Sequence, residues 1–170
     1  GEHLKGYDRL QKAGITDDLE LREALERLVE LSGKAPEKNR AQELERALVG
    51  QNNGIDFFPT PKAQAKFIVD RAGIEPGMRV LEPSAGTGNL AEEMRAQGGE
   101  VEVAEISPKH REVLEAKGFK VVEHDFMDME EGGYDVVVMN PPFSNNMDID
   151  HVRKAYELLK PGGRIVAIMG

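Results

Sequence analysis

Residues Val80 to Leu90, VLEPSAGTGNL, constrain the fold more than any other stretch of the chain. Val80 and Leu81 continue an apolar run from Met78, the pattern of a buried strand. Pro83 ends that strand. Gly86 and Gly88 flank Thr87, and a helix opens near Asn89. Glycines at such a turn let the backbone bend sharply and let a ligand approach main-chain atoms with no Cβ in the way. The N-terminus of the following helix presents unpaired N–H groups. A turn of this kind at the carboxyl end of a parallel strand suits a nucleotide-like cofactor. The run Gly86 to Ala91 also fits the G-x-G-x-x-G/A dinucleotide pattern. Taken alone, it reads equally as a tight strand-to-helix turn with no ligand.

Downstream, strands and helices alternate, the signature of an α/β fold with a parallel sheet and helices on its faces. Strands are expected at Arg79–Glu82, Val101–Glu105, Lys120–Glu123, Asp135–Met139 and Arg164–Met169. Helices are expected at about Asn89–Gln97, Pro108–Lys117 and Asp148–Leu159, and Lys160-Pro161-Gly162-Gly163 reads as a tight turn into the last strand. The length, 170 residues, suits one domain, and the longest apolar runs are only strand-length,.

Residues 1–55 read as a helical N-terminal segment ahead of a core over 56–170. Leu4, Tyr7 and Leu10 fall at near-helical spacing. Leu21, Ala24, Leu25, Leu28 and Leu31 form a stripe closed by Gly33. Ala41, Leu44, Ala47 and Leu48 form another behind Pro36,. The simplest role for these helices is a lid on the domain behind. Gln51-Asn52-Asn53-Gly54 is a turn-rich linker. Thr60 then reads as the N-cap of a helix with Pro61 at its first position, and Ala65, Ile68, Val69 and Ala72 form its apolar side.

There are no cysteines, which excludes disulfides and thiol catalysis and suits a reducing cytoplasm,. The net charge of −9 is unusual for a nucleic-acid binder, which normally shows a basic surface,. Basic residues are then clustered locally, or another segment supplies phosphate contacts, or the substrate is not nucleic acid.

Glu105 ends the second expected strand, 17 residues after Gly88. An acidic side chain there can accept hydrogen bonds from both hydroxyls of a cofactor ribose. After the third strand, Asp125 can accept from an adenine amino group, and Phe126 can pack on the ring. Asn140-Pro141-Pro142-Phe143 follows the apolar strand at Asp135–Met139 and is the most specific feature. Two prolines restrict the directions of the Asn140 and Pro141 carbonyls. The Asn140 side-chain carbonyl and the Pro141 main-chain carbonyl can then accept from one planar –NH₂ group, with Phe143 offering a face for stacking. The four histidines are scattered without metal-ligand spacing, and all read as structural or surface residues,.

Phe58-Pro59-Thr60-Pro61, the LEPSAGTG loop, Glu105, Asp125-Phe126 and NPPF occur in this order at strand ends. The set closely resembles class I S-adenosylmethionine-dependent methyltransferases, in particular N6-adenine DNA methyltransferases of the NPPF/Y type. The likeness runs from about Asp56 to Gly170. It implies that Phe58 and Thr60 help hold the methionine end of S-adenosylmethionine. The loop from Glu82 through Ser84, Ala85 and Gly86 to Gly88 would lie along the methionine and ribose. Glu105 would bind the ribose hydroxyls with Ile106 against the adenine, and Asp125 the adenine amino group with Phe126 beside it. Asn140, Pro141, Pro142 and Phe143 would hold a flipped adenine of DNA. The family's strand order, 3-2-1-4-5, makes Arg164–Met169 an apolar edge, because the further strands of that family are absent. A truncated, five-strand core and self-association through this edge are therefore expected. The same tetrapeptide serves enzymes acting on guanine amino groups in RNA and on glutamine side chains of proteins. Alternatives of other classes are an NAD-dependent oxidoreductase and a cofactor-binding module without catalysis.

Overall fold

A computed structural model of the chain describes Arg27, residues 37–48 and residues 59–170. The helical stripes expected before residue 36, the linker at 51–54 and the Phe57–Phe58 pair lie outside the described residues. Two units are present, Gly1–Asn39 and Arg40–Gly170. Helix α1 (Glu37–Leu48) follows Pro36, as the stripe from Ala41 to Leu48 requires, and Ala41 is buried.

The second unit is a five-stranded parallel sheet. Its strands are β1 (Arg79–Pro83), β2 (Glu100–Ala104), β3 (Lys120–Glu123), β4 (Tyr134–Met139) and β5 (Leu159–Ala167), in the spatial order β3-β2-β1-β4-β5. Helices α2 (Lys62–Val69), α3 (Asn89–Ala96), α4 (Pro108–Ala116) and α5 (Met147–Glu157) complete the unit. Among the described residues, no helix is long and apolar enough to cross a membrane.

The strand sequences account for the layers. β1 and β4 lie inside the sheet and are apolar on both faces, as buried parallel strands must be. Alternate side chains point to opposite sides. Val80, Val136 and Val138 pack with Ala65, Val69, Leu90, Met94 and Leu114 on one face. Leu81, Val137 and Met139 pack with Phe126, Tyr134, Ala155 and Leu158 on the other. β1 pairs with β2 on one side and β4 on the other, so the chain reverses its direction of travel across the sheet at the β1–β4 boundary. Ligands of open α/β sheets bind at the carboxyl ends of strands beside such a switch point.

Two local expectations change. Thr60 does not cap α2. Pro61 takes the N-cap position, with no side-chain cap, and the Thr60 hydroxyl accepts instead from Asn140 Nδ2 at 3.2 Å. Lys160–Gly163 is not a simple turn before β5 but an excursion within it. Leu159 pairs with Tyr134 and Arg164 with Val136, so four residues stand opposite Asp135,. Gly162 adopts φ +82° there, and Lys160 Nζ pairs with the Asp135 carboxylate at 2.9 Å. The helix before it ends early because the Leu158 carbonyl accepts from the Gly133 and Tyr134 amides at 2.8 and 3.1 Å. β5 pairs with β4 alone among the described residues.

At the opposite ends of the strands, polar groups close a network around Glu102. Its Oε2 accepts from Arg79 Nη2 at 2.8 Å and from the Tyr134 hydroxyl at 2.7 Å, and its Oε1 from Lys120 Nζ at 2.6 Å. Burial alone would raise the Glu102 carboxyl, but its donors from Lys120, Tyr134 and Arg79 outweigh burial and hold it below the usual carboxylate range. A lowered folded pKa contributes stability that is present above the unfolded value, about 4.3, and is lost as pH falls through the folded one. Glu102→Gln is therefore expected to lower the unfolding free energy by about 1–3 kcal/mol at neutral pH. The gap to the parent should shrink below about pH 4. Urea unfolding of both proteins at pH 7 and pH 3.5 checks this, and a gap that stays constant with pH contradicts it.

Candidate functional site

A cavity of about 510 Å³ opens at the carboxyl ends of β1, β2 and β4, a size suited to a cofactor-sized ligand. Each wall comes from a different strand end. β1 leads into Glu82, Ser84, Ala85 and Thr87. β2 leads into Glu105 and Ile106. The turn after β3 supplies His124, Asp125, Phe126 and Met127. Asn140, Pro141, Pro142 and Phe143 follow β4, and His151 reaches in from α5.

The loop after β1 is sharply bent. Ser84, Gly86 and Gly88 adopt φ of +60°, +56° and +86°. A Cβ on Gly88 would lie 2.9 Å from Leu114 Cδ2 and 3.3 Å from the Phe119 ring, so glycine is required for packing as well as conformation,. Two buried carboxyls hold the bend. Glu82 Oε2 accepts from the Ala91 amide at 2.7 Å, which satisfies a free N–H in the first turn of α3,. Glu105 Oε2 accepts from the Gly86 amide at 2.6 Å, and its Oε1 accepts from the Ser107 amide at 2.8 Å. His110 Nδ1 lies 3.4 Å from Glu105 Oε1.

The two carboxyls titrate in opposite directions. Burial pushes Glu82 well up, more than the Ala91 amide can offset, and the nearby Glu105 adds to the rise. Burial also opposes the charge of Glu105, but hydrogen bonds from His110, Ser107 and Gly86 outweigh it and bring the carboxyl below its ordinary value. The negative charge of the pair therefore resides on Glu105. Its oxygens retain lone pairs for hydroxyl donors, since each can accept two hydrogen bonds.

Beyond β4, Asn140 and Thr60 join the NPPF turn to the segment before α2. The Thr60 carbonyl accepts from Asn89 Nδ2 at 2.8 Å, which ties the same residue to the start of α3. Pro141 is buried, while Phe143, Ile106 and Met127 keep 37%, 56% and 41% of their surface exposed and offer apolar area to a ligand.

Thr60, Glu82, Ser84, Ala85, Glu105, Ile106, Asp125, Phe126, Asn140, Pro141, Pro142 and Phe143, all singled out from sequence, line this one cavity. Gly86 and Gly88 shape its loop without being part of the lining, and Phe58 lies outside the described residues. Two of these side chains differ from expectation in setting. Phe126 is 3% exposed and belongs to the core, so it forms a wall rather than a free stacking face. Asp125 caps a 3-10 turn, its Oδ1 accepting from the Met127 amide at 2.9 Å. Sequence reading left aside His110, Met127, Met147 and His151, all of which line the cavity. For His151, four residues before Ala155 on α5, the helical period would have placed it on the inward face with Ala155,.

The family model described as a methyltransferase domain matches residues 51–169, which include all five strands. UbiE of Shewanella sediminis, a ubiquinone/menaquinone biosynthesis C-methyltransferase, is 25% identical over 130 residues, covering 68% of this chain and 52% of that protein. Ribosomal RNA small subunit methyltransferase C of Chromohalobacter salexigens is 30% identical over 108 residues, covering 56% of this chain and 32% of its own length. Among solved structures, PH1948 of Pyrococcus horikoshii, described as a candidate RNA methyltransferase, is similar with a TM-score of 0.61 and 28% identity over 78% of this chain and 73% of that one. The chain spans about half the length of the UbiE relatives it matches. With a model match across more than half its residues and a sheet of the expected order, the chain belongs to the methyltransferase-domain family of Rossmann-like, class I S-adenosylmethionine-dependent enzymes.

Proposed function

We propose that this chain transfers the methyl group of S-adenosylmethionine to an exocyclic amino nitrogen of a nucleobase, with N6 of adenine in DNA as the acceptor. The observation that carries the reading is the entry of Asn140-Pro141-Pro142-Phe143 into the same cavity as the glycine loop and Glu105. The lining fits the cofactor chemically. A charged Glu105 suits ribose hydroxyls, and Ile106 and Met127 offer apolar contact to a purine ring,. The bound cofactor supplies an electrophilic methyl on a cationic sulfur.

The chain's own contribution is placement. The side-chain carbonyl of Asn140 and the main-chain carbonyl of Pro141 accept from the two hydrogens of the amino group. That pairing draws the nitrogen lone pair out of conjugation with the ring and aims it at the methyl carbon. Thr60 steadies Asn140. Phe143 stacks on the base, which must leave its duplex to reach the cavity. Orientation and fixed dipoles supply the acceleration.

RNA is the second reading. The similarity to PH1948 favours it, while the net charge of −9 gives no long-range attraction for either polyanion,. Labelled methyl supplied with DNA oligonucleotides, with and without adenine, and with matched RNA separates the two. Incorporation only where DNA adenine is present is the expected result, and incorporation only into RNA overturns the DNA assignment.

Two variants test the roles. Glu105→Ala is expected to weaken S-adenosylhomocysteine binding by about 1–3 kcal/mol, the scale of hydrogen bonds to a charged group. Unchanged affinity by calorimetry in a folded variant removes Glu105 from cofactor binding. Asn140→Ala is expected to keep most of the cofactor affinity and lose most methyl transfer, because its hydrogen bond matters most in the transition state. Transfer at the parental rate removes it from the mechanism.

A further inference from the structure

Methylating an amino group leaves a proton to dispose of. The nitrogen–carbon bond forms as the sulfur–carbon bond breaks with its electron pair left on sulfur. The nitrogen becomes cationic and must release one N–H proton. A group that takes this proton has to face the cavity, be unprotonated beforehand, and have a basic atom not already engaged by the fold or, in the reading above, by the cofactor.

Six titratable side chains face the cavity: Glu82, Glu105, His110, His124, Asp125 and His151. Glu82 is bound to the Ala91 amide and is pushed by burial toward its protonated form. Glu105 holds the Gly86 and Ser107 amides, and His110 lies against it. Asp125 caps the turn at Met127. His124 is exposed, where bulk water competes with it for any proton. His151 differs from all five. It is 9% exposed, it stands on the helix that directly follows the NPPF turn, and its ring packs against Phe126 with centroids 5.2 Å apart. Its Nδ1 lies 3.5 Å from Ser84 Oγ, in the bent loop after β1. It is thus between the two loops that the proposed function assigns to cofactor and acceptor.

We propose that His151 is a catalytic residue that takes the proton released from the methylated nitrogen. This inference rests on the amino-methylation reading above. The charged groups acting on the ring are Asp125, from the turn after β3, and Asp150, from its own helix; both favour the imidazolium. Ser84, from the loop after β1, brings a neutral hydroxyl. Burial outweighs the two carboxylates and lowers the ring below its ordinary value, so the imidazole is neutral at pH 7 and ready to accept,. The ring receives the proton from nitrogen, becomes imidazolium, and passes it to solvent as product leaves. Its contact with Ser84 Oγ orients it, and Ser84 is a positioning residue.

The test is the pH profile of methyl transfer under saturating cofactor and substrate, for the parent, His151→Gln and His151→Asn, with calorimetry of S-adenosylhomocysteine as a control. The parent is expected to lose rate along an acid limb lying below the ordinary histidine value of about 6.5, because the proton-accepting ring becomes charged there,. Both variants should lose about 10²-fold in kcat at pH 7.5, the lower end of what a positioned base contributes, keep cofactor affinity within about 3-fold, and lack that acid limb. Variants that keep both the parental rate and the acid limb overturn the proposal while leaving the function standing. So do variants that lose rate but keep the limb, which marks a structural role. If the parent chain itself methylates no DNA or RNA, the functional reading fails and this proposal with it. Should neither variant fold, the His151 ring resonance of the parent is titrated with and without S-adenosylhomocysteine. A ring shielded in the occupied cavity titrates at lower pH, and an unmoved titration overturns the proposal.

Discussion

Two buried carboxyls hold the cavity open, and the rest of the site depends on them. Glu82 and Glu105 stand at the ends of adjacent parallel strands, where Glu82 pairs with Val103 and Pro83 with Ala104, so Glu105 lies two residues beyond the level of Glu82. One reaches forward to the Ala91 amide and the other sideways to the Gly86 amide. Between Glu82 and Ala91 the chain carries three left-handed residues, one of them a serine. Backbone of that kind persists only when its surroundings over-determine it. The carboxyls provide that determination, and they do so with one negative charge rather than two, because burial, with a smaller contribution from Glu105, raises the cost of ionising Glu82. A single charge beside a glycine loop can receive ribose hydroxyls; two like charges at that distance would repel each other and admit water.

The sheet separates stability from chemistry along its length. The middle of β1 and β4 is wholly apolar, so polar groups can gather only at the two ends. At the amino ends, Glu102 binds Arg79, Lys120 and Tyr134, and the Arg79 guanidinium also lies over the Tyr134 ring at 4.3 Å. That network joins β1, β2, β3 and β4 and is satisfied within the protein. At the carboxyl ends, the polar groups face a cavity and share its wall with exposed apolar side chains. The same alternation of strand residues builds both ends. Only the second has space for a ligand.

Sequence legibility follows this division. The five strands and most helix limits were readable because period and glycine spacing report directly on burial and turns; the strand order came from the family resemblance and is the one observed. The cavity wall was largely readable too, since its residues follow strand ends, and strand ends were the best-placed features. What escaped depends on contacts far apart in the chain. Leu158 binds the Gly133 and Tyr134 amides and so ends α5 before the expected residue. The Lys160–Gly163 excursion carries an ion pair between Lys160 and Asp135, and no local pattern encodes that. His151 reads from sequence as a structural or surface residue; its helical spacing from Ala155 reports an inward face but not the cavity, which is formed with residues such as Ser84, 67 residues away in sequence.

Thr60 shows how the site overrides local preference. A threonine before a proline at a helix start is suited to capping, and an N-cap hydrogen bond is worth about 0.5–2 kcal/mol. Here the hydroxyl is spent on Asn140, eighty residues away, and the carbonyl on Asn89. The helix α2 goes without a side-chain cap. One residue thereby joins the segment before α2, the helix after the glycine loop and the turn after β4, the three pieces of chain that would have to hold two ligands in line with each other. A cap would have stabilised one helix. The alternative ties the start of the helix after the glycine loop to the turn after β4, and the in-line transfer proposed above would be sensitive to displacements of about 1 Å. Local stability and global geometry compete for the same oxygen, and geometry takes it. Such conflicts between local rule and observed structure concentrate at functional sites.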